Sequence, residues 1–169
     1  MTQAIVVMGV TGSGKSTLGQ ALARALGWRF VEGDTLHPPA NIVKMAAGLP
    51  LDDVDRLPFL ENVARAIATR STSLVVSCSA LKRAYRDLLR GADAQLLFVL
   101  PMLSREALQL RLQRRGHHFM PAALLDSQLA DLQPPQADER IIQIDGSTSP
   151  DQQVAVALAA VKRLQSAPV

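Results

Sequence analysis

The residues Gly9–Ser16 read GVTGSGKS and fit G-x-x-x-x-G-K-[ST] with nothing left over. Gly12 and Gly14 let the backbone turn tightly and aim its N–H groups inward, which makes a cradle for an anion. A helix starting here adds the partial positive charge of its N-terminus. Lys15 is then a point charge for the β- and γ-phosphates of a nucleotide. Ser16 offers a hydroxyl to Mg²⁺, and Thr17 offers one to the α-phosphate. Gly9, Val10, Thr11 and Ser13 complete the loop. This pattern specifies a nucleoside triphosphate but not its use.

Three further segments carry candidate chemistry. The pair Gly33-Asp34 follows an apolar run, and Asp34 is placed to accept a hydroxyl proton or help hold Mg²⁺. In the polar segment behind it, His37, Lys44 and Arg56 are candidates to converge on an anion. Asp52, Asp53 and Asp55 read better as helix caps, and a loop histidine before two prolines also has a structural reading. In SCSALKRAYRDLLR, from Ser77 to Arg90, Lys82 and Arg86 are four apart and share a helix face, which a solvated basic surface explains equally well. The densest basic patch holds Arg105, Arg111, Arg114 and Arg115 with His117 and His118. It suits a lid that brings planar cations over phosphates and excludes water. As a nucleic-acid surface it is too local, and Phe119 is its only aromatic neighbour.

These groups need a scaffold, and the apolar pattern supplies one. Short strands are expected at Ala4–Met8, Trp28–Glu32, Ser73–Ser77, Gln95–Leu100 and Ile141–Asp145. Helical patterns alternate with them: Ser16–Leu26, Ala40–Ala47, Asp53–Thr69, Ser104–Arg114, Pro121 to about Leu132, and a last helix opened by the capping box Ser149–Gln152. The order implies βαβ units on a mainly parallel sheet, an α/β class. The chain reads as one domain, with an acceptor insertion at about 33–71 and a lid at about 111–125. In such sheets, ligands lie beyond the carboxyl ends of the strands, so Asp34 is expected beside the phosphate loop.

The 169 residues are 48% hydrophobic and 20% charged, which argues against disorder. Aromatics are only 4%, few for a protein that stacks bases. One cysteine, Cys78, cannot pair within the chain and fits a reducing cytoplasm. No apolar run approaches a membrane span. No glycine follows Asp by three, and neither Asn41 nor Asn62 precedes Lys, so a GTP switch is disfavoured. A motor or AAA-type ATPase is disfavoured too, because the third strand closes on Ser-Cys-Ser rather than an acid. Asp145, ending IIQID, reads as a strand terminus rather than a metal-binding acid.

With its segments placed, the chain resembles the gluconokinase family of small P-loop kinases. The resemblance runs from Val7 to about Ile144. It rests on MGVTGSGKST, GDTLHPPANIVKMAAGLPLDDVDRLPFL, CSALKRAYRDLLR and RLQRRGHHFMPAALLDSQLADLQPP. It implies transfer of the ATP γ-phosphate to the 6-hydroxyl of D-gluconate, dependence on Mg²⁺, a three-layer sandwich on a five-stranded parallel sheet of order 2-3-1-4-5, and a homodimer. Carried over residue by residue, Gly9–Thr17 holds ATP, with Arg111 and Arg115 closing over it, and Asp34 is the base. His37, Lys44, Arg56, Lys82, Arg86 and His118 become candidates for the acceptor. Shikimate, another small anion, is the alternative acceptor. Phe59 stands where the family often has Trp, a change expected to affect packing only. Gln133 stands where Glu is frequent.

Overall fold

The computed structural model describes residues 2–115 and 122–166. Strands β1 (Ala4–Val7), β2 (Arg29–Glu32), β3 (Leu74–Ser77), β4 (Leu97–Met102) and β5 (Ile141–Asp145) form one parallel sheet in the order β2-β3-β1-β4-β5. This is the order the resemblance implied. The register places Val7 against Ser77 and Val99, and Glu32 against Ser77. The carboxyl ends of these strands are therefore level, and the loops that follow them share one edge of the sheet.

The central strands are apolar on both sides because helices cover both faces. Alternation divides β1 cleanly. Ile5 and Val7 pack with Leu18, Leu22, Ala157 and Val161 under α1 (Lys15–Leu26) and α7 (Pro150–Ser166). Val6 and Met8 face Phe59, Val63, Ile67 and Leu89 of α3 (Asp53–Ala68) and α4 (Arg83–Ala92). A smaller cluster joins Val10 and Leu81 to Leu108, Leu112 and Leu125, which seats α5 (Arg105–Arg114) and α6 (Ala122–Asp131) over the phosphate loop. The remaining helix, α2 (Pro39–Ala46), follows a 3-10 turn at Gly33–Leu36.

Local signals account for several boundaries. Gly27, in the left-handed region, closes α1. Asp52 and Asp55 form a reciprocal capping box at the start of α3, with N–H to carboxylate distances of 2.8 and 3.0 Å, so the capping reading holds for these two. Ser149 and Gln152 do the same for α7. The edge strand ends in Asp145, whose carboxylate accepts from the N–H and hydroxyl of Ser147. That makes it a turn residue, as the chain order suggested.

Candidate active site

The phosphate loop leaves β1 and enters α1 through Gly14, whose φ of +88° a side chain would strain. The first intrahelical bond runs from Leu18 N–H to Gly14 C=O at 2.9 Å. The amides of Lys15, Ser16 and Thr17 thus belong to the open first turn, where an anion is stabilised. The Lys15 ammonium donates to Val10 C=O at 2.9 Å. Burial pushes its pKa down, and the nearby Asp34 carboxylate opposes that shift. Cys78 lies beneath the loop as a neutral thiol, its pKa pushed up to about 12 by burial.

Asp34 owes its place to the glycine before it. Gly33 N–H donates to Ser77 Oγ at 3.0 Å, and Ser77 in turn donates to Glu32. The backbones approach so closely that a Cβ on Gly33 would lie 1.8 Å from Ser77 C=O. Gly33→Ala therefore separates β2 from β3 and moves the turn that carries Asp34. The expected result is a loss of about 1–3 kcal/mol in a urea melt together with most of the activity; a variant with unchanged stability and turnover would remove this account of the turn.

Between the loop and the turn lies a cavity of about 260 Å³. Thr11 and Lys15 form one wall, and Asp34 and His37 form another. Among the described residues the Asp34 carboxylate accepts no hydrogen bond, so it is open to an acceptor hydroxyl. The His37 ring stacks on Phe59 with centroids 3.8 Å apart and planes 9° from parallel. Burial holds its pKa below the ordinary value, which leaves it neutral near pH 7. Phe59, expected to matter for packing only, thus also lines the cavity and backs His37. Arg56 contributes the cation. Its Nη1 donates to Asp131 at 2.8 Å and to Tyr85 at 3.2 Å. From α6 come Ser127 and Gln128, which the sequence reading missed. Gln128 Oε1 accepts the Thr11 N–H at 2.7 Å, so one side chain spans the acceptor cavity and the phosphate loop. Only its place in the matching SQLADLQPP run hinted at this.

Three expected acceptor residues are not on this cavity. Lys44 is paired with Asp55, with Asp52 at 4.0 Å, and so serves the cap of α3. Lys82 sits at the N-cap of α4 with extended backbone and donates to Asp53 at 2.8 Å. Because Lys82 precedes the helix, it does not share a face with Arg86. Arg86 is fully buried, bound to Glu139 by two hydrogen bonds of 2.5 and 3.0 Å and to the carbonyls of Leu81 and Gln133. A guanidinium so engaged is not available to a substrate, and taking one partner from a buried pair is strongly destabilising. Its effect on the site is indirect: it anchors the loop that presents Ser79 and Leu81 to the cavity. Gln133 joins this seam, accepting the Arg83 N–H at 2.6 Å.

A second cavity of about 270 Å³ is lined by Gly14 and Thr17, Arg111 and Arg115, and Thr148. Arg111 donates to Gly146 C=O at 2.6 Å and to Ser13 C=O at 3.4 Å, which holds it beside the phosphate loop. Lys15 lines the first cavity, and its chain neighbours Gly14 and Thr17 line the second. His117 and His118 lie outside the described residues.

Residues 5–135 match the AAA domain family model, although β3 lacks the acidic end on which the sequence reading set that class aside. The gluconokinase of Gluconobacter oxydans (strain 621H) is 51% identical over 150 residues, covering 87% of this chain and 84% of the relative. The crystal structure of a gluconokinase from Sinorhizobium meliloti 1021 superposes with a TM-score of 0.90 at 46% identity, covering 98% of both chains. A shikimate kinase from Aquifex aeolicus VF5, covering 98% of this chain and 100% of its own, shares the fold alone, at a TM-score of 0.60 and 18% identity. The chain belongs to the gluconokinase family of P-loop kinases.

Proposed function

We propose that the chain transfers the γ-phosphoryl group of ATP to the 6-hydroxyl of D-gluconate, giving 6-phospho-D-gluconate and ADP. The observation that carries this reading is the cavity that Asp34, Lys15 and Arg56 line together. Gly9–Thr17 cradles the triphosphate, and Arg111 and Arg115 approach it from the 111–125 segment, read as the lid. Arg56 attracts the acceptor carboxylate, and His37 donates to an acceptor oxygen. Asp34 takes the proton of the 6-hydroxyl as that oxygen bonds to the γ-phosphorus. The bond from phosphorus to the β–γ bridging oxygen breaks, and ADP leaves with the electron pair. Positioning and charge stabilisation do most of the work.

Among the described residues no cluster of three acidic, histidine or cysteine side chains is arranged to hold a metal. The site instead offers the Ser16 hydroxyl beside the phosphate cradle. That donor set suits Mg²⁺, which binds through few protein oxygens plus substrate phosphates. Bound there, the ion would neutralise charge on the β- and γ-phosphate oxygens. A cytoplasmic homodimer completes the proposal, supported by family membership and the single buried thiol. Among the described residues no helix is long and apolar enough to cross a membrane.

Coupled ADP release measured across a panel of sugar acids tests the acceptor. Strong turnover with gluconate and none with shikimate is expected. The reverse pattern would transfer the assignment to the alternative acceptor. Nucleotide-dependent, salt-sensitive binding of RNA or DNA near physiological salt, with no acceptor-dependent ATP turnover, would replace it with a nucleic-acid function.

A further inference from the structure

Asn41 is a polar side chain only 3% exposed, on α2 behind the acceptor cavity. Its Nδ2 carries two protons and accepts nothing. It lies 2.8 Å from Asp55 C=O and 3.2 Å from His37 Nδ1. Asp55 C=O can only accept, so it fixes the orientation of the amide: a flip would set oxygen against oxygen. The second amide proton therefore points at His37 Nδ1, which must accept it and carries no proton. The imidazole proton then resides on Nε2, on the ring edge away from Asn41. Stacking on Phe59 holds the ring in this plane.

We propose that Asn41 is a positioning residue that fixes His37 as a neutral Nε2–H donor toward the acceptor. The consequence is a division of labour. A His37 with a bare Nε2 would compete with Asp34 for the hydroxyl proton, and an imidazolium beside Asp34 would weaken it as a base. Asn41 prevents both, because either a bare Nε2 or an imidazolium requires a proton on Nδ1, facing the Asn41 N–H. The charged groups around the ring are Asp34 from the 3-10 turn, which favours the imidazolium, and Arg56 from α3, which disfavours it. Lys15 also lines the cavity, and among the described residues α6 contributes the uncharged Leu124, Ser127 and Gln128. Burial disfavours the imidazolium most, in the same direction as the Asn41 contact. The inference rests on the reading of His37 as an acceptor-binding residue.

Nitrogen-15 NMR of the imidazoles in the whole chain, from pH 5.5 to 8, tests it. A His37→Gln spectrum identifies the signal among the three histidines. The expected result is a protonated Nε2 and a bare Nδ1 throughout the neutral range, with titration below the ordinary value of about 6.5. In Asn41→Asp the new carboxylate accepts from Nδ1–H and raises the His37 pKa. The kcat of that variant then falls at least about three-fold between pH 8 and pH 6, a step absent from the wild type. A proton on Nδ1, titration at or above the ordinary value, or identical pH profiles for a folded Asn41→Asp and the wild type would each overturn the inference while leaving gluconate turnover and the role of Asp34 intact. Should Asn41→Asp fail a thermal melt, the wild-type spectrum decides alone. Loss of the parent reading would show differently, as wild-type protein that does not turn over gluconate at any pH.

Discussion

Lys15→Ala keeps its fold and loses at least about 10³-fold in kcat/KM for ATP and gluconate, the scale for removing a charge clamp from a transferring phosphoryl group. The structure gives a reason for each half of this result. The ammonium is bound to Val10 C=O, a partner within its own loop. Burial already disfavours its charge, so its loss costs the folded state little. The phosphate loop loses its own ammonium, which lines the acceptor-side cavity. Coupled ADP release and a thermal melt on the same preparation check both halves. A folded variant that retained most of its activity would remove the phosphate-loop reading.

The strand positions, the phosphate loop and the caps of α3 and α7 were legible because they depend on neighbours in sequence, whereas the strand order came with the family resemblance. Alternation of Ile5 and Val7 with Val6 and Met8 gives the two faces of β1, and S-x-x-Q gives the start of α7. Asp34 was legible for a topological reason: it follows the end of a strand on the ligand edge. The cations were harder, because a basic residue's partner is set by contacts that spacing does not encode. Arg86 finds Glu139 fifty-three residues away, and Arg56 finds Asp131 seventy-five away. A four-residue interval suggested one face for Lys82 and Arg86, but the helix starts after Lys82 and sends the two side chains to different places. Gln128 escaped for the same reason, since its contact with Thr11 spans 117 residues.

Arg56, which lines the acceptor-side cavity, also links it to other elements. Asp131, which it holds, ends α6. Lys82 lies 3.8 Å from the same carboxylate, which brings the α4 loop into the cluster. Gln128, one turn earlier on α6, touches the phosphate loop. α6 is thereby tied to both Arg56 and the phosphate loop, so a change at either end bears on the other.

Asp34→Asn is the sharpest probe of the chemistry, because the amide preserves size and removes the base. The loss expected of a general base is about 10²–10⁴-fold. It should fall on kcat, because Arg56 and His37 remain to bind gluconate and Gly9–Thr17 remains to bind ATP. Steady-state kinetics with gluconate as the varied acceptor, on a variant shown to be folded, separates the two parameters. Our account predicts a kcat at least about 100-fold below the wild type with KM for gluconate changed by only a few-fold; a kcat near the wild-type value would contradict it.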